Sequence, residues 1–503
     1  MENKEKYSKI KRVVFIEPRP PDRHVFSRFK LPRLGTVILG TIIEQKGRYC
    51  KVYVEDIADI DFKEVFSADL VGITTITSTA PRAYAIADQI RKAGIPVVMG
   101  GPHVTFLPDE ALEHADYVIR GEAEESFPQL LDAIEVGHGI EKIPGVSFRI
   151  GDNNFHNPGL GRVENLDDLP IPDFSMIQGG LSGQVWPMQT SRGCPFNCNF
   201  CTVTKVFGRA YRFRSKEHIM RELRAVPKDK VVFFYDDNFA ADRERAKELM
   251  RMMIAEGITP KWTTQVRVDV ARDPEMMALM KASGCFYVYI GFESINPATL
   301  KAFHKGQNLD EMRESIHALH EKGIRIHGMF VLGSDEDDKE TIDLTVQFAK
   351  SEKIDTVQFM ILIPLPGTEQ REQFLAEDRI LLNDWSYYDG HHVIHLPKKM
   401  THFELQTGVF KAYGKFYSRM EIVKAIFSFR PLNIIYKVYA YRLVRTLLRS
   451  NKEFIRSTRQ WTKDASTRAN IKVKQVADDI TERIRKLTAK GEIPKLPHNS
   501  KIK

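Results

Sequence analysis

Apolar residues in the first 150 positions fall into two alternating patterns. Short continuous runs at 13–16, 51–54, 70–73, 96–99 and 117–119 read as strands buried on both faces. Longer stretches with helical spacing, 34–45 and 81–93, lie between them and stop at Gly47 and Gly94. This alternation predicts a doubly wound parallel sheet. Ligands of such sheets sit beyond the C-terminal strand ends, here the loops 18–32, 74–80, 100–104 and 121–125. Residues 151–184 are rich in Gly, Asn, Asp and Pro, and Leu169-Pro170-Ile171-Pro172 suits neither a helix nor an inner strand. A linker is expected there. A second β/α series follows, with strands at 185–190, 230–235, 261–266, 286–291, 325–332 and 356–363. Helical runs at 242–256, 274–282 and 309–322 separate them. Six repeats fit an incomplete (β/α)6 barrel better than the eight of a closed one. From 401 onward the pattern is helical, aromatic and then strongly charged. The chain thus divides into an α/β domain (1–150), a linker (151–184), a barrel (185–400) and a helical region (401–503).

Charge changes this picture only at the C-terminal end. Residues 401–503 carry 23 Lys and Arg against 8 Asp and Glu, while the whole chain carries a net +8. The basic character therefore belongs to the last region, and the body before it is slightly acidic. The first eleven residues are charged and polar, with no signal-peptide core after them. No uncharged apolar run reaches spanning length. The expected compartment is the cytoplasm.

Five cysteines in 503 residues are no disulfide framework. Cys50 and Cys285 stand alone and read as small buried residues. Cys194, Cys198 and Cys201 form Cys-x3-Cys-x2-Cys, just past the first strand of the second series. Iron–sulfur clusters usually take four thiolates, so three leave one iron open to a ligand. A zinc site would need a fourth Cys or His near by, and the nearest histidine, His218, is too distant. The segment Ser191-Arg192-Gly193-Cys194-Pro195-Phe196-Asn197-Cys198-Asn199-Phe200-Cys201 resembles the radical S-adenosylmethionine (SAM) superfamily. The resemblance implies a 4Fe–4S cluster on the three cysteines, with SAM chelated at the open iron. It implies further roles at successive strand ends. Phe200 would pack near the adenine. Asp236 and Asp237, in place of the superfamily's Gly-Gly-Glu-like segment, would hold the methionyl amine. Arg267 would pair with the methionyl carboxylate, and Glu293 would reach the ribose or carboxylate.

The first domain resembles the cobalamin-binding domain of the B12-dependent subfamily. The residues that carry this are Gly72-Ile73-Thr74-Thr75-Ile76-Thr77, Gly100-Gly101-Pro102-His103 and Arg120-Gly121-Glu122-Ala123-Glu124. The implied cobalamin contacts are Thr74, Thr75, Ser78, Gly100, Gly101, His103 and Glu122. Glycines there permit close backbone approach. Asp22-Arg23-His24 matches part of the Asp-x-His-x-x-Gly sequence of proteins that ligate cobalt through histidine, but Ser27 replaces the glycine. His24 is therefore expected to be a solvated loop residue. The stretch 385–393 and Pro397-Lys398-Lys399-Met400-Thr401 resemble the branch of hopanoid methylases and relatives acting on lipids and tetrapyrroles. His391 and His392 within it are expected to hydrogen-bond in the interior.

These resemblances imply a cobalamin-dependent radical SAM methyltransferase acting on an unactivated carbon of a hydrophobic substrate. In that chemistry a 5′-deoxyadenosyl radical abstracts hydrogen, and methylcobalamin supplies the methyl group. Ring formation, rearrangement or carbon–carbon coupling with the same cofactors is the alternative outcome. A corrinoid-responsive binding protein is the alternative class, against which the cysteine motif argues. A flavodoxin or ferredoxin would supply electrons. Residues 431–449 read as a helix combining apolar positions with Lys437, Arg442, Arg445 and Arg449. It would either lie peripherally on the inner face of a membrane or dock on the barrel. No nucleic acid is expected, since no RNA-binding module accompanies the charge.

Overall fold

The computed structural model describes residues 9–20, 31–181, 183, 185–427 and 431–467. His24 lies outside them. The first sheet contains β1 (Arg12–Glu17), β2 (Tyr49–Val54), β3 (Leu70–Thr74), β4 (Val97–Gly100) and β5 (Tyr117–Ile119). These five are parallel, in the order β2-β1-β3-β4-β5. Continuous apolar strands bury both faces. Val13, Phe15 and Val52 pack under the helices Leu34–Gln45 and Ser126–Val136 through Val37, Ile38, Phe127 and Leu130. Val14, Ile16, Val71 and Ile73 pack under Ala80–Lys92 through Ala83, Ile86 and Ile90. Each such fully buried Val, Ile, Leu or Phe contributes about 1.5–3 kcal/mol.

The sheet is mixed rather than wholly parallel. β6 (Val146–Ile150) pairs antiparallel with β5, and β7 (Asn153–His156) pairs antiparallel with β6. β7 falls in the stretch read from sequence as linker. Asn153-Asn154-Phe155-His156 is a polar edge strand with no apolar alternation, so only its pairing across the Gly151 turn reveals it.

The second sheet has six parallel strands, β8 (Val185–Met188), β11 (Val231–Phe234), β12 (Trp262–Val266), β13 (Cys285–Glu293), β14 (Arg325–Leu332) and β15 (Thr356–Ile361). Their order is β15-β14-β13-β12-β11-β8. Between β8 and β11, the short strands β9 (Ser191–Arg192) and β10 (Arg212–Phe213) pair antiparallel. Burial alternates along the six strands. Val232, Phe234, Val288, Ile290, Ile326, Val357 and Phe359 join the core shared with the covering helices. Phe233, Tyr289, Met329, Gln358 and Met360, on the other side, are only half-buried and line the concave face.

The helix His402–Phe416 closes the exposed edge of β15. Thr401 and Glu404 cap it reciprocally, with Thr401 N–H on Glu404 Oε2 at 2.9 Å. The Tyr413 hydroxyl accepts from Phe359 N–H at 3.0 Å and the Tyr417 hydroxyl from Val357 N–H at 2.8 Å. Edge amides that would otherwise template pairing are thus satisfied. The helices Arg419–Phe427, Pro431–Ser450 and Lys452–Thr467 follow.

The two sheets meet at their C-terminal edges. Burial, and after it the charge of Glu17 at the end of β1, raises the phenol of Tyr235, the residue after β11. Trp186 and Tyr235 pack against the core of the first sheet. Trp385 donates to Glu110 at 2.8 Å and sets its ring against His103 at 5.0 Å.

Candidate active site

The three cysteines lie on the loop between β9 and β10. Gly193 opens it at φ 93°, and a Cβ there would stand 2.7 Å from the Ala210 carbonyl, so only glycine permits the turn. Cys194, Cys198 and Cys201 are half-buried and unpaired. Burial raises all three thiols, Cys201 to about 12. Iron binding must therefore displace protons that the bare protein retains. Among the described residues no three His, Cys, Asp or Glu side chains converge on a single ion. A cubane takes each thiolate on a different iron, so three cysteines would ligate three irons and leave the fourth open.

Charged groups from three strand ends surround the thiols. The Asp237 charge bears on Cys194 and Cys201, that of Arg267 on Cys194 and Cys198, and those of Glu293 and Lys305 on Cys198. Among the described residues Asp237 makes no hydrogen bond or ion pair, and burial followed by the neighbouring Asp236 raises its carboxyl to about 7. Arg267 stacks over Phe196 at 3.8 Å and donates to the Lys305 carbonyl at 2.5 Å. Glu293 sits at a bulge in β13, at φ 59°, and pairs with Lys305 at 2.7 Å. Bulges re-aim side chains at strand ends, and a non-glycine residue at positive φ marks a backbone held by its surroundings. Gly291 leaves room for this pair, since a Cβ there would stand 2.9 Å from Lys305 Nζ. Phe200 packs edge-on against Phe303 at 4.9 Å.

Asp236 is placed differently from Asp237. It is fully buried, and its Oδ1 accepts from Thr190 N–H at 3.0 Å, Thr190 Oγ1 at 3.2 Å and Ser191 Oγ at 2.5 Å. It braces the strand end before the cysteine loop, and Asp237 is the carboxylate whose charge reaches the thiols. Around these residues Asp236 Oδ2, Asn238 Oδ1, Arg267 Nε and Gln307 Oε1 are buried without a hydrogen bond. Buried polar atoms rarely stay so, and these fit a polar ligand at the mouth of the barrel.

In the first sheet Thr74, Thr75, Gly100 and Gly101 form one corner at the ends of β3 and β4. Thr75 donates N–H and Oγ1–H to the Gly100 carbonyl at 2.9 and 3.0 Å. Gly101 has φ 103° and ψ 173°, a region essentially reserved for glycine. A Cβ there would stand 2.8 Å from Thr75 N, whereas one on Gly100 would meet nothing nearer than 3.9 Å. Ser78 is buried in the turn Thr77–Thr79. His103 is buried, with Nε2 3.1 Å from the Tyr84 hydroxyl and Nδ1 without a partner. An open glycine, buried hydroxyls and one orphaned ring nitrogen fit a large polar cofactor lying along this edge.

Glu122, expected among the cobalamin contacts, is held by side chains of the cysteine-loop strands. Its carboxylate accepts from Arg192 Nη1 at 2.8 Å, Arg212 Nη1 at 2.7 Å, Arg212 Nη2 at 3.1 Å and Val163 N–H at 2.8 Å. Both oxygens are thus engaged by protein donors. Sequence reasoning also passed over Lys305, because no local pattern ties it to Glu293. His392 is buried as expected, with Nδ1 2.9 Å from Asp389 and Nε2 2.5 Å from Asn451.

The geometry of a cysteine-bearing barrel mouth facing an α/β sheet agrees with comparison to known proteins. The radical SAM superfamily profile matches residues 188–349, and the B12 binding domain profile matches 27–131. The chain belongs to the B12-binding radical SAM family. It is a radical SAM enzyme whose cofactors are a 4Fe–4S cluster, SAM and cobalamin. It is similar to an uncharacterized methyltransferase of Pyrococcus horikoshii, 31% identical over 83% of this chain and 94% of that one. It is also similar to the bacteriochlorophyllide d C-12(1)-methyltransferase of Chlorobaculum tepidum, 32% identical over 74% and 79%. Relatives at greater distance carry the names hopanoid C-3 methylase and anaerobic magnesium-protoporphyrin IX monomethyl ester cyclase. The structure of the cobalamin-dependent SAM radical enzyme OxsB shares the fold, with a TM-score of 0.64 at 14% identity over 96% of this chain and 82% of that one.

Proposed function

We propose that the protein is a C-methyltransferase that modifies an unactivated carbon of a hydrophobic, lipid- or tetrapyrrole-like substrate. The observation that carries this is the concave face of the barrel. Phe233, Tyr235 and Tyr289 line it with rings 5.1–5.6 Å apart, alongside the half-buried Met329 and Met360. Polar groups there are sparse: Gln265, Gln358 and His327, whose imidazole burial lowers to about 3 and so keeps neutral. Aromatic and thioether walls with few polar groups suit a flat apolar substrate. The methyltransferase names of the relatives support the reaction type.

When bound, the three cofactors supply the electron, the 5′-deoxyadenosyl radical and the methyl group. The chain's own residues position and shield. Thiolates of Cys194, Cys198 and Cys201 would hold the cluster. Asp237 would take the methionyl ammonium and Arg267 the methionyl carboxylate. Lys305 would hold Glu293 towards the ribose, and Phe200 would flank the adenine. Thr74, Thr75, Ser78, Gly100, Gly101 and His103 would seat the corrinoid. A flavodoxin or ferredoxin would deliver electrons. The domain limits 1–150, 151–184, 185–400 and 401–503 belong to this proposal.

A membrane surface is the proposed source of substrate. Met420, Val423, Ile426 and Ile435 are exposed in the helices Arg419–Phe427 and Pro431–Ser450, with Arg419, Arg442, Arg445 and Arg449 also exposed. Among the described residues no helix is long and apolar enough to cross a membrane, so the contact would be peripheral. Replacing Arg442, Arg445 and Arg449 with Gln should weaken sedimentation with anionic vesicles; parent-like sedimentation contradicts it.

The function is tested by anaerobic incubation with reductant, cobalamin, methyl-labelled SAM and a lipid or pigment extract, followed by mass spectrometry. A product retaining the labelled methyl supports the proposal. An unlabelled product that has only lost hydrogen supports the second reading, ring formation, which the similarity to the cyclase favours.

A further inference from the structure

The loop after β5 and the start of the cysteine loop are joined by a buried ionic junction. Arg192 uses each arm of its guanidinium: Nη1 on Glu122 at 2.8 Å, Nη2 on Glu124 at 2.5 Å and Nε on Gln189 at 2.9 Å. Arg212 stands opposite Arg192 in the β9–β10 pair and binds the same Glu122 carboxylate from the other side. It also donates to the Val163 carbonyl. Side-chain exposure across Glu122, Glu124, Arg192 and Arg212 is 2–8%. Burial works against both charged forms. Glu124 and Glu122 outweigh it at Arg192 and hold the guanidinium charged, and Arg212 and Arg192 pull the Glu122 carboxyl below its ordinary range.

Such a junction is poorly suited to raising stability, because well-packed apolar residues serve as well or better than a buried ion pair. Its place suggests another use. Glu122 and Glu124 follow the end of β5, on the edge that seats the corrinoid. Arg192 precedes Cys194 by two residues, and the one residue between, Gly193, is locked against Ala210. Gly121 is locked likewise, since a Cβ there would stand 2.9 Å from Leu160 Cβ, and Glu122 N–H binds the Gly161 carbonyl at 2.8 Å. Close backbone packing at a glycine thus flanks the ion pairs on both sides.

We propose that Glu122, Glu124, Arg192 and Arg212 are positioning residues that set the cluster-binding loop against the cobalamin-binding sheet. They fix the separation across which the two cofactors act on one SAM site. The inference holds whichever substrate the barrel takes.

The test uses full-length holoenzyme and Glu122→Gln, with Glu124→Gln as a milder variant should the first not fold. Three readouts are needed: iron and corrinoid content, hydrogen exchange of segments 117–125 and 190–201, and the products of SAM under reductant without substrate. Release of 5′-deoxyadenosine needs only the barrel's groups. Release of S-adenosylhomocysteine needs the corrinoid of one domain to reach the SAM of the other. We expect both cofactors retained, faster exchange in both segments and 5′-deoxyadenosine unchanged. The rate of S-adenosylhomocysteine formation in the single methyl transfer to the corrinoid should fall about 100-fold in Glu122→Gln, the penalty of roughly an ångström of misplacement, and less in Glu124→Gln. Parent-like exchange and parent-like S-adenosylhomocysteine overturn the proposal. So does an equal loss of both products, which would place the junction in the folding of the barrel.

Discussion

The N-terminal sheet presents backbone, glycine and hydroxyls at its strand ends, whereas the barrel presents charged side chains and thiols. At the first edge Gly101 and Thr75 pack so closely that no Cβ fits between them. At the second, Asp237, Arg267, Glu293 and Lys305 gather around three cysteines. The difference matches what each edge would hold. A corrinoid is large and is recognised along its extent, which suits close backbone approach. A cluster with SAM is a concentration of charge, which suits ionised side chains in a half-buried mouth. The same doubly wound logic, ligands beyond the C-terminal strand ends, thus yields two unlike surfaces that face each other.

The largest expected effect comes from the thiols. Replacing Cys194, Cys198 or Cys201 with Ala should abolish SAM cleavage, measured as 5′-deoxyadenosine, while Cys50→Ala and Cys285→Ala keep it. Both lone cysteines are buried in apolar cores remote from this chemistry. A smaller loss is expected from Arg267→Ala, which leaves the thiolates in place but removes the cation stacked on Phe196. Cleavage should fall about 100-fold, on the scale of one lost electrostatic or positioning contact, at unchanged iron content. Equal cleavage would show that the barrel edge does not work through its charges.

The smallest effect separates the two halves by acid. Burial lowers His327 to about 3, and His395 and His402 to about 4, and all three lie in the barrel or its C-terminal cover. Their folded values lie below the ordinary histidine value of about 6.5. Between the two values the unfolded chain binds more protons, so stability falls as pH drops from 6.5 towards 4. The melting temperature should decline over this window, and hydrogen exchange should show the barrel opening before the first sheet.

The sequence made some of this legible and hid the rest for identifiable reasons. Both β/α series could be read because each strand is a continuous or alternating apolar run. The cysteine loop could be read because its three cysteines fall within eight residues. Glu122 was legible as a residue of interest but its ion pairs were not, since its partners Arg192 and Arg212 lie 70 and 90 positions away. The acidic pair at 122 and 124 and the arginine two residues before Cys194 were the available signal. Asp236 and Asp237 are indistinguishable as neighbours in sequence. Strand alternation turns the first inward to Thr190 and Ser191, and leaves the second beside the thiols. β7 was hidden by its polar composition, and the Glu293–Lys305 pair by a bulge that no periodicity announces.

The central claim is that each sheet edge holds its own cofactor, and one paired measurement tests it directly. Iron and corrinoid content would be determined on anaerobically reconstituted Cys198→Ala and Gly101→Val. A side chain at Gly101 forces a backbone region that costs about 1–3 kcal/mol and intrudes on Thr75. The account predicts a crossed result: Cys198→Ala loses iron and keeps corrinoid, and Gly101→Val loses corrinoid and keeps iron. Full iron in Cys198→Ala, or full corrinoid in Gly101→Val, would contradict it.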